Sequence, residues 1–379
     1  MEVKTIRLSR SDLGQSEKTA VCEVLNDGYL GMGPIVSEFE ISLGKYFARP
    51  VICVSSGTAA LHLALQAIGV GPGDEVIVPD ITYVATLQAV SATGAKPVIC
   101  DIETKSISLS IDTVLRKLTA RTKAIILVHY AGVPAVDYDL LLKLANEKGI
   151  TLIEDAAHAF GTRVNNELIG AKGHITCFSF DGIKNITCGE GGCIVTDDPK
   201  VIKKVSDARL LGVENDSFKR FQGERSLVFD VKEQGWRYHM QSANAAIGLV
   251  QLNRLEEFRQ KKYSLWKNYH EQILGKLSHL CYPVLPAPNP DILPHIYPVL
   301  LKDPSYMDKL IELFKRNMIQ YGRHYQPNSH LTFYKNNKSF CPVAETYFND
   351  SITLPFHTLL TKDEQSRIIE TLLQLQDEI

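Results

Sequence analysis

The sequence predicts an α/β fold, with a large domain built on a mainly parallel sheet covered by helices and a smaller α+β domain at the C-terminal end. Three observations predict it. Short apolar, β-rich runs alternate with helix-like segments through the first two-thirds of the chain, the pattern of parallel strands buried under helices on both faces. Near residue 250 that alternation gives way to long amphipathic helices and a Pro-rich stretch. The length, 379 residues, exceeds one small module and suits a large domain plus a smaller one. The expected division is 1–250 and 251–379.

The elements follow in order. VICV (51–54) leads into small residues and a helix-like LHLALQAI (61–68) that stops at Gly69. EVIVP (75–79), AKPVICDI (95–102) and KAIILVHY (123–130) have the character of buried strands, and DLLLKLANEK (139–148) that of a helix ending at Gly149. TLIED (151–155), HITCFSF (174–180) and GGCIVTD (191–197) supply further strands. Residues 244–274 form one or two long helices. After the Pro-rich stretch (282–294) come a strand, YPVLL (297–301), and a helix from Tyr306 to Ile319 with Ser305 as its N-cap. The last helix opens on a capping box, Thr361 with Glu364, and carries Ile368, Ile369, Leu372 and Leu373 on one face.

Composition narrows the function classes. Apolar residues make up 45% and charged residues 22%, the balance of a globular protein and not of a disordered one. With 41 Lys+Arg against 43 Asp+Glu, a general electrostatic grip on nucleic acid or on an anionic membrane is not expected. No apolar run approaches the ~20 residues that span a bilayer. MEVKTIRLSRSDLGQSEKTA lacks the apolar stretch of a signal peptide. The eight cysteines form no C-x-x-C pair and several lie in strand-like runs. Buried, reduced thiols in a cytoplasmic protein are expected, with no metal site.

In open α/β sheets, ligands bind beyond the carboxyl ends of the strands, so the residues just past each strand matter most. Past VICV, Ser55, Ser56, Gly57 and Thr58 open a helix. They either present free N–H groups to an anion or form a plain Ser N-cap. Past EVIVP, Tyr83 stands at the strand exit, to stack on a flat ring or to pack at the rim. After TLI, Glu154 and Asp155 lie at a buried strand end and need cationic or hydrogen-bonding partners. Asp155 suits a protonated nitrogen or the N-cap of the following AAHAF, and His158 faces the same pocket or serves structure alone. After HITCFSF, Lys184 sits between a strand and the glycine-rich turn of GEGGCIVTD. Confined there, its amine can lose its proton and act as a nucleophile; the other reading is a solvated loop lysine. A phosphate cradle, a stacking aromatic, a carboxylate for a ring nitrogen and an imine-forming lysine are what pyridoxal 5'-phosphate (PLP) requires of a protein. Neither G-x-G-x-x-G between a first strand and helix nor G-x-x-x-x-G-K-[ST] occurs, which argues against a dinucleotide-binding or P-loop fold.

The chain resembles the DegT/DnrJ/EryC1/StrS aminotransferases of fold type I, which act on nucleotide-linked keto sugars. GMGPIVSEFE (31–40), SSGTAALHLAL (55–65), GDEVIVPDITYVAT (73–86), EDAAHAFGT (154–162), FSFDGIKNITCGEGGCIVTDD (178–198), AAIGLVQL (245–252), HYQPNSHLTFY (324–334) and LPFH (354–357) carry the resemblance through nearly the whole chain. It implies that Lys184 binds PLP covalently and later moves a proton, and that Asp155 pairs with the ring nitrogen. It places His158 beside the ring oxygen and Tyr83 over the ring. Ser56, Gly57, Thr58 and Ser179 would hold the phosphate, with His324 and Tyr325 near the sugar. The cofactor would cycle through pyridoxamine 5'-phosphate (PMP), with L-glutamate as donor and a nucleotide-linked keto sugar, aminated at C4 of a 6-deoxy form by preference, as acceptor, for polysaccharide or aminosugar synthesis. A homodimer with shared active sites is also implied.

One motif departs from the family pattern. Gly235-Trp236-Arg237-Tyr238-His239 has Arg237 where many relatives have an Asn that reaches the cofactor phosphate of the neighbouring subunit. A guanidinium there suits a charged contact to that phosphate or to the substrate diphosphate. Two other outcomes compete: a sugar dehydratase, disfavoured because such relatives carry His at the lysine position, and a PLP-binding regulator without turnover.

Overall fold

The computed structural model describes residues 4–213, 230–335 and 339–377. Its main sheet has seven strands: β1 (Val51–Val54), β2 (Glu75–Pro79), β3 (Lys96–Cys100), β4 (Thr122–Val128), β5 (Thr151–Asp155), β8 (Ile175–Ser179) and β9 (Gly192–Val195). The strands β6 (Arg163–Val164) and β7 (Glu167–Leu168) form a small hairpin between β5 and β8. The order across the main sheet is β1-β9-β8-β5-β4-β2-β3. Pairing is parallel from β8 through β3, and β9 runs antiparallel to both its neighbours. The carboxyl ends of β1, β2, β4, β5 and β8 therefore share one edge of the sheet.

Helices cover both faces, and the pleat shows it. Along β4, Ala124 and Ile126 join one core while Ile125 and Leu127 join another. Along β5, Ile153 and Leu152 divide in the same way. Strands buried on both sides need no polar alternate face, which is why these runs are apolar throughout. The helix Gly57–Ala67 ends just before Gly69, whose φ of +78° is easy only for a residue without Cβ.

A second sheet lies in the C-terminal part: β10 (Cys281–Pro283), β11 (Tyr297–Leu301) and β12 (Ser351–Leu354), all antiparallel. The long helical region is two helices, Ser242–Asn253 and Leu255–Lys276. The second buries a stripe of Leu255, Phe258, Lys262, Leu265, Trp266, Tyr269 and Ile273. Leu255 and Phe258 enter a core beneath the main sheet, whereas Leu265 and Trp266 share a core with Val299 and Ile352 of the small sheet. One helix thus ties the two parts together. The chain start also lies with the C-terminal part: Ile6 N–H donates to Met318 O (2.9 Å), and Phe356 N–H donates to Leu8 O (3.1 Å).

Two expectations need correction. The helix after β11 is Met307–Arg316, shorter than Tyr306 to Ile319, and Ser305 does not cap it. Asp303 instead accepts the Ser305 N–H (2.9 Å) and opens a 3-10 turn, Pro304–Tyr306, that precedes the helix. Asp is the stronger acceptor, and Pro304 suits the first position of such a turn. All eight cysteines are free, but Cys22 is exposed. The final helix, Lys362–Asp377, does open on the Thr361–Glu364 capping box (2.9 and 3.1 Å). Among the described residues, no helix is long and apolar enough to cross a membrane.

A polar clasp joins the β2 exit to the segment carrying His324 and Tyr325. Asn328 donates its amide to the carbonyls of Asp80 (2.9 Å) and Thr82 (2.8 Å). The Asp80 carboxylate accepts the Ser329 N–H and hydroxyl, both at 2.7 Å. Asn328 and Asp80 are buried, so losing one partner strands the other. Asn328→Ala is expected to cost about 2 kcal/mol in urea unfolding; a change within the error of that measurement would show that the clasp holds nothing.

Candidate active site

The polar residues singled out from the sequence meet along the carboxyl edge of the main sheet. Asp155, the last residue of β5, is buried. Its Oδ2 accepts the Thr86 hydroxyl (2.7 Å) and its Oδ1 the Ala157 N–H (3.2 Å). The second bond belongs to the capping reading of this residue; the first does not. Burial raises its pKa, against the pull of Thr86, Ala157 and the charge of Lys184. Such a carboxylate gains by meeting a cation. Its neighbour Glu154 points to the other face of the strand, where it accepts from Thr176 (2.9 Å) and pairs with His129 (2.8 Å).

Lys184 stands in the loop between β8 and β9, half-buried, and its N–H donates to Asp181 O (3.0 Å). Its Nζ has no hydrogen-bond partner among the described residues. Burial lowers its pKa, and the carboxylates of Asp181 and Asp155 offset this in part. The loop is held by the next residue. Asn185 is buried and donates to the carbonyls of His158 (3.4 Å), Phe160 (3.2 Å) and Leu293 (3.0 Å). Its Oδ1 accepts from Lys262 (2.7 Å), which also donates to Pro294 O (3.1 Å).

Three imidazoles lie within electrostatic reach of this amine. His158 accepts the Ala131 N–H at Nδ1 (3.2 Å), so its neutral ring carries the proton on Nε2, 3.1 Å from the Tyr325 hydroxyl. His295 lies 4.4 Å from His158, ring to ring. His324 bonds Thr353 through Nδ1 (2.8 Å), and its carbonyl accepts the Tyr130 hydroxyl (2.5 Å). Burial, then the charge of Lys184, pushes His158 and His295 well down and His324 to about 4. All three are neutral near pH 7.

The helix start after β1 has the parts that a phosphate cradle needs. Ser56 caps the helix Gly57–Ala67 by accepting the Ala59 N–H (3.1 Å). The N–H groups of Gly57 and Thr58 have no partner among the described residues, as helix starts provide. The Ser56 N-cap reading holds, and it leaves these two N–H groups available to an anion. A Cβ on Gly57 would lie 2.8 Å from Ser179 Cβ, and one on Gly192 2.6 Å from the Ser56 carbonyl. The two glycines let the ends of β8 and β9 close on the helix start, which brings the Ser179 hydroxyl beside it.

Tyr83 and Arg237 are less enclosed. Tyr83 is 60% exposed, its ring 5.7 Å from that of Tyr325. Arg237 lies exposed in an extended segment paired to the β1 exit, where Ser55 N–H donates to Tyr238 O (2.7 Å). Its side chain has no partner among the described residues, while Trp236 and Tyr238 turn the other way onto His62 (5.1 and 5.9 Å).

These residues fit the PLP that the resemblance implies. Two free N–H groups suit a phosphate, a buried carboxylate lacks a cation, and a poorly solvated amine lies within its electrostatic reach. Sequence reasoning missed Thr86, Asn185, His295 and Lys262. Lys262 had a signal: it falls among the apolar residues of its helix, where a cation needs a buried partner.

Lys262 also yields a pH test. Burial, then Lys184, lowers its pKa to about 7. Below that pH, folded and unfolded chains both hold the proton. From about 7 toward 10 only the unfolded chain does, so stability rises with pH in this window. In thermal melts of the cofactor-free protein the wild type is expected to gain stability from pH 7 to 9.5, relative to Lys262→Met. Parallel curves would show that Lys262 keeps an ordinary pKa.

Residues 11–373 match the model of the DegT/DnrJ/EryC1/StrS aminotransferase family. Spr1654 from Streptococcus pneumoniae, solved in apo, PMP and PLP forms, superposes with a TM-score of 0.90 at 29–30% identity, over 99% of this chain and 98–99% of that one. PseC from Helicobacter pylori, an aminotransferase involved in pseudoaminic acid biosynthesis, gives 0.89 at 26% identity, over 99% and 100%. DesV from S. venezuelae, solved with a ketimine intermediate, gives 0.85 at 30% identity, over 96% and 95%. The chain belongs to the DegT/DnrJ/EryC1/StrS aminotransferase family.

Proposed function

We propose that this protein is a PLP-dependent sugar aminotransferase that takes an amino group from L-glutamate and gives it to the keto carbon of a nucleotide-linked sugar, by preference C4 of a 6-deoxy sugar. The observation that carries the reading is the convergence at one sheet edge of Lys184, Asp155 and the unpartnered N–H groups of Gly57 and Thr58. The relatives solved with PLP and PMP support the cofactor. The sugar class rests on the resemblance, and the C4 preference on the EDAAHAFGT motif with His158.

When bound, PLP supplies a carbonyl that condenses with amines and a ring that withdraws electrons from the carbon losing its proton. The chain supplies the rest. Gly57 and Thr58 N–H groups and the Ser179 hydroxyl hold the phosphate, with Ser56 fixing the helix start. Asp155, braced by Thr86, pairs with the ring nitrogen and keeps it protonated. His158 lies against the ring's oxygen side, its Nε2–H held by Tyr325. Tyr83 covers the outer face. Lys184 takes a proton from one carbon and returns it to another, a role that needs its pKa below that of a surface lysine. His324 and Tyr325 border the sugar. Tyr83 and Arg237, open in one chain, are where a second subunit would complete the site, with Arg237 meeting a phosphate. The assembly is then a homodimer, acting in the cytoplasm.

The visible spectrum of the PLP-loaded protein tests this. L-Glutamate is expected to convert it to the PMP form, and a 4-keto-6-deoxy nucleotide sugar to restore it; a spectrum unmoved by amino donors would leave a binding protein without turnover. A panel that includes 3-keto sugars decides the position. Lys184→Ala is expected to abolish turnover, and measurable steady-state activity would refute its role. Thr86→Val is expected to weaken PLP retention about tenfold by removing a hydrogen bond to a charged group, measured by dialysis against cofactor-free buffer; unchanged retention would show that Thr86 does not brace Asp155.

A further inference from the structure

Two of the cysteines face each other across a strand pair. β1 and β9 run antiparallel with Cys53 directly opposite Cys193. Both side chains enter the same core, beside Phe47, Phe178 and Phe180, and both are fully buried. Neither takes part in the chemistry assigned to Lys184 and Asp155.

The phase of the hydrogen-bond ladder sets how near they come. In an antiparallel pair, positions that exchange backbone bonds alternate with positions that do not, and the second kind brings the Cα atoms to about 4.5 Å. Cys53 is of the second kind. Its N–H donates to Glu40 Oε1 (2.8 Å) and its carbonyl accepts from Arg209 (2.6 Å), so both groups point away from β9. The end of the pair agrees. Thr196 N–H donates to the Pro50 carbonyl (3.3 Å), which puts the bonded positions of β1 at Ile52 and Val54 and leaves Cys53 between them. Disulfides span Cα separations of about 4.4–6.8 Å with side chains that converge. Side chains directly opposite each other on one face of a sheet converge in this way. The other buried thiols nearby lack such a register. Cys177 enters the core on the opposite face of the sheet, and Cys188 lies in the loop between β8 and β9.

In the closed sheet the pair is protected. Burial pushes both thiols well above their ordinary pKa, and the thiolate is the form that reacts. The protection is only as strong as the hold on β1, which is the edge strand of the main sheet. At Cys53 the outer side of β1 is held by two side chains, Glu40 and Arg209, and not by another strand. Release of this edge is the smallest opening that brings Cys53 to solvent, and such local openings occur far more often than global unfolding.

We propose that Cys53 and Cys193 form an oxidation site: a hydroperoxide that meets Cys53 while β1 is open is reduced there, and reclosure joins the two sulfurs and locks β1 onto β9. In the open state the Cys53 thiolate attacks a peroxide oxygen, the O–O bond breaks, and the departing hydroxide takes up the thiol's proton as water. Cys53 is left as a sulfenic acid. When the strand recloses, the Cys193 sulfur displaces that hydroxyl, which leaves with the Cys193 proton as a second water. Two thiols give up two electrons and hydrogen peroxide accepts them. The bond falls one register step from Val54 and Gly192, and Gly192 is the residue that lies against the Ser56 carbonyl at the helix start. A link between strands so far apart in sequence restricts the unfolded chain and stabilises the folded one.

Hydrogen peroxide treatment of the PLP-loaded protein tests this, in a Cys22→Ser background that removes the exposed thiol. Digestion without reductant, followed by mass spectrometry, is expected to find the Cys53 peptide joined to the Cys193 peptide. The intact chain is expected to lose about 2 Da and two titratable thiols, both restored by dithiothreitol. Its urea midpoint is expected to rise on oxidation and to fall back on reduction. The rate of bond formation is expected to increase several-fold in urea below the midpoint, where the edge opens more often. Cys53→Ala and Cys193→Ala are each expected to abolish the bond and the midpoint shift. If either variant fails to fold, the peptide map of the Cys22→Ser protein decides alone. A full set of free thiols after exposure would overturn the proposal. So would Cys188 joined to either residue, or a sulfinic acid at Cys53 with no link to Cys193.

Discussion

The amide side chain of Asn185 decides where the Lys184 loop can go. Its nitrogen spans three carbonyls, two from the turn after β5 and one from Leu293. Its oxygen takes a proton donor from Lys262. Both ends of a buried amide are thereby engaged. The loop after β8, the turn after β5, the Pro-rich connection and the long helix Leu255–Lys276 are fastened at one point, one residue from the amine. Asp155 is placed by the same arrangement, since β5 and β8 are adjacent and parallel with Asp155 opposite Cys177.

Charge around the amine follows from that packing. Lys184 and Lys262 share a poorly solvated region with three neutral histidines. The carboxylates facing Lys184 are Asp181 and Asp155. Burial favours the neutral amine; the two carboxylates favour the charged one. The balance leaves Lys184 below a surface lysine, as a group that both gives and takes protons must be. The N-terminal segment is held against the C-terminal part by the bonds from Ile6 to Met318 and from Phe356 to Leu8.

Much of the fold was legible because buried parallel strands leave long apolar runs and glycines end the helices. EVIVP and TLIED fall on β2 and β5 with no residue of difference. Lys184, Asp155 and the Ser56–Thr58 helix start were legible because a charged or unsatisfied group at a strand end is costly unless a partner or ligand meets it. The contacts at long sequence separation were not. Asn328 reaches Asp80 across 248 residues, and no local pattern encodes that. Lys262 was hidden by its half-buried neighbour Lys261, which pairs with Glu257 as an ordinary helix-surface lysine does. Ser305 misled because Asp303, two residues earlier, competes for the same capping role.

Two lysines lie within reach of each other in this site, and the account gives them different work: Lys184 meets the cofactor, and Lys262 holds the loop. Borohydride reduction of the PLP-loaded protein, followed by digestion and mass spectrometry, separates them. The account predicts that the reduced cofactor is fixed to the peptide containing Lys184. Label on Lys262, or on no lysine of this region, would contradict it.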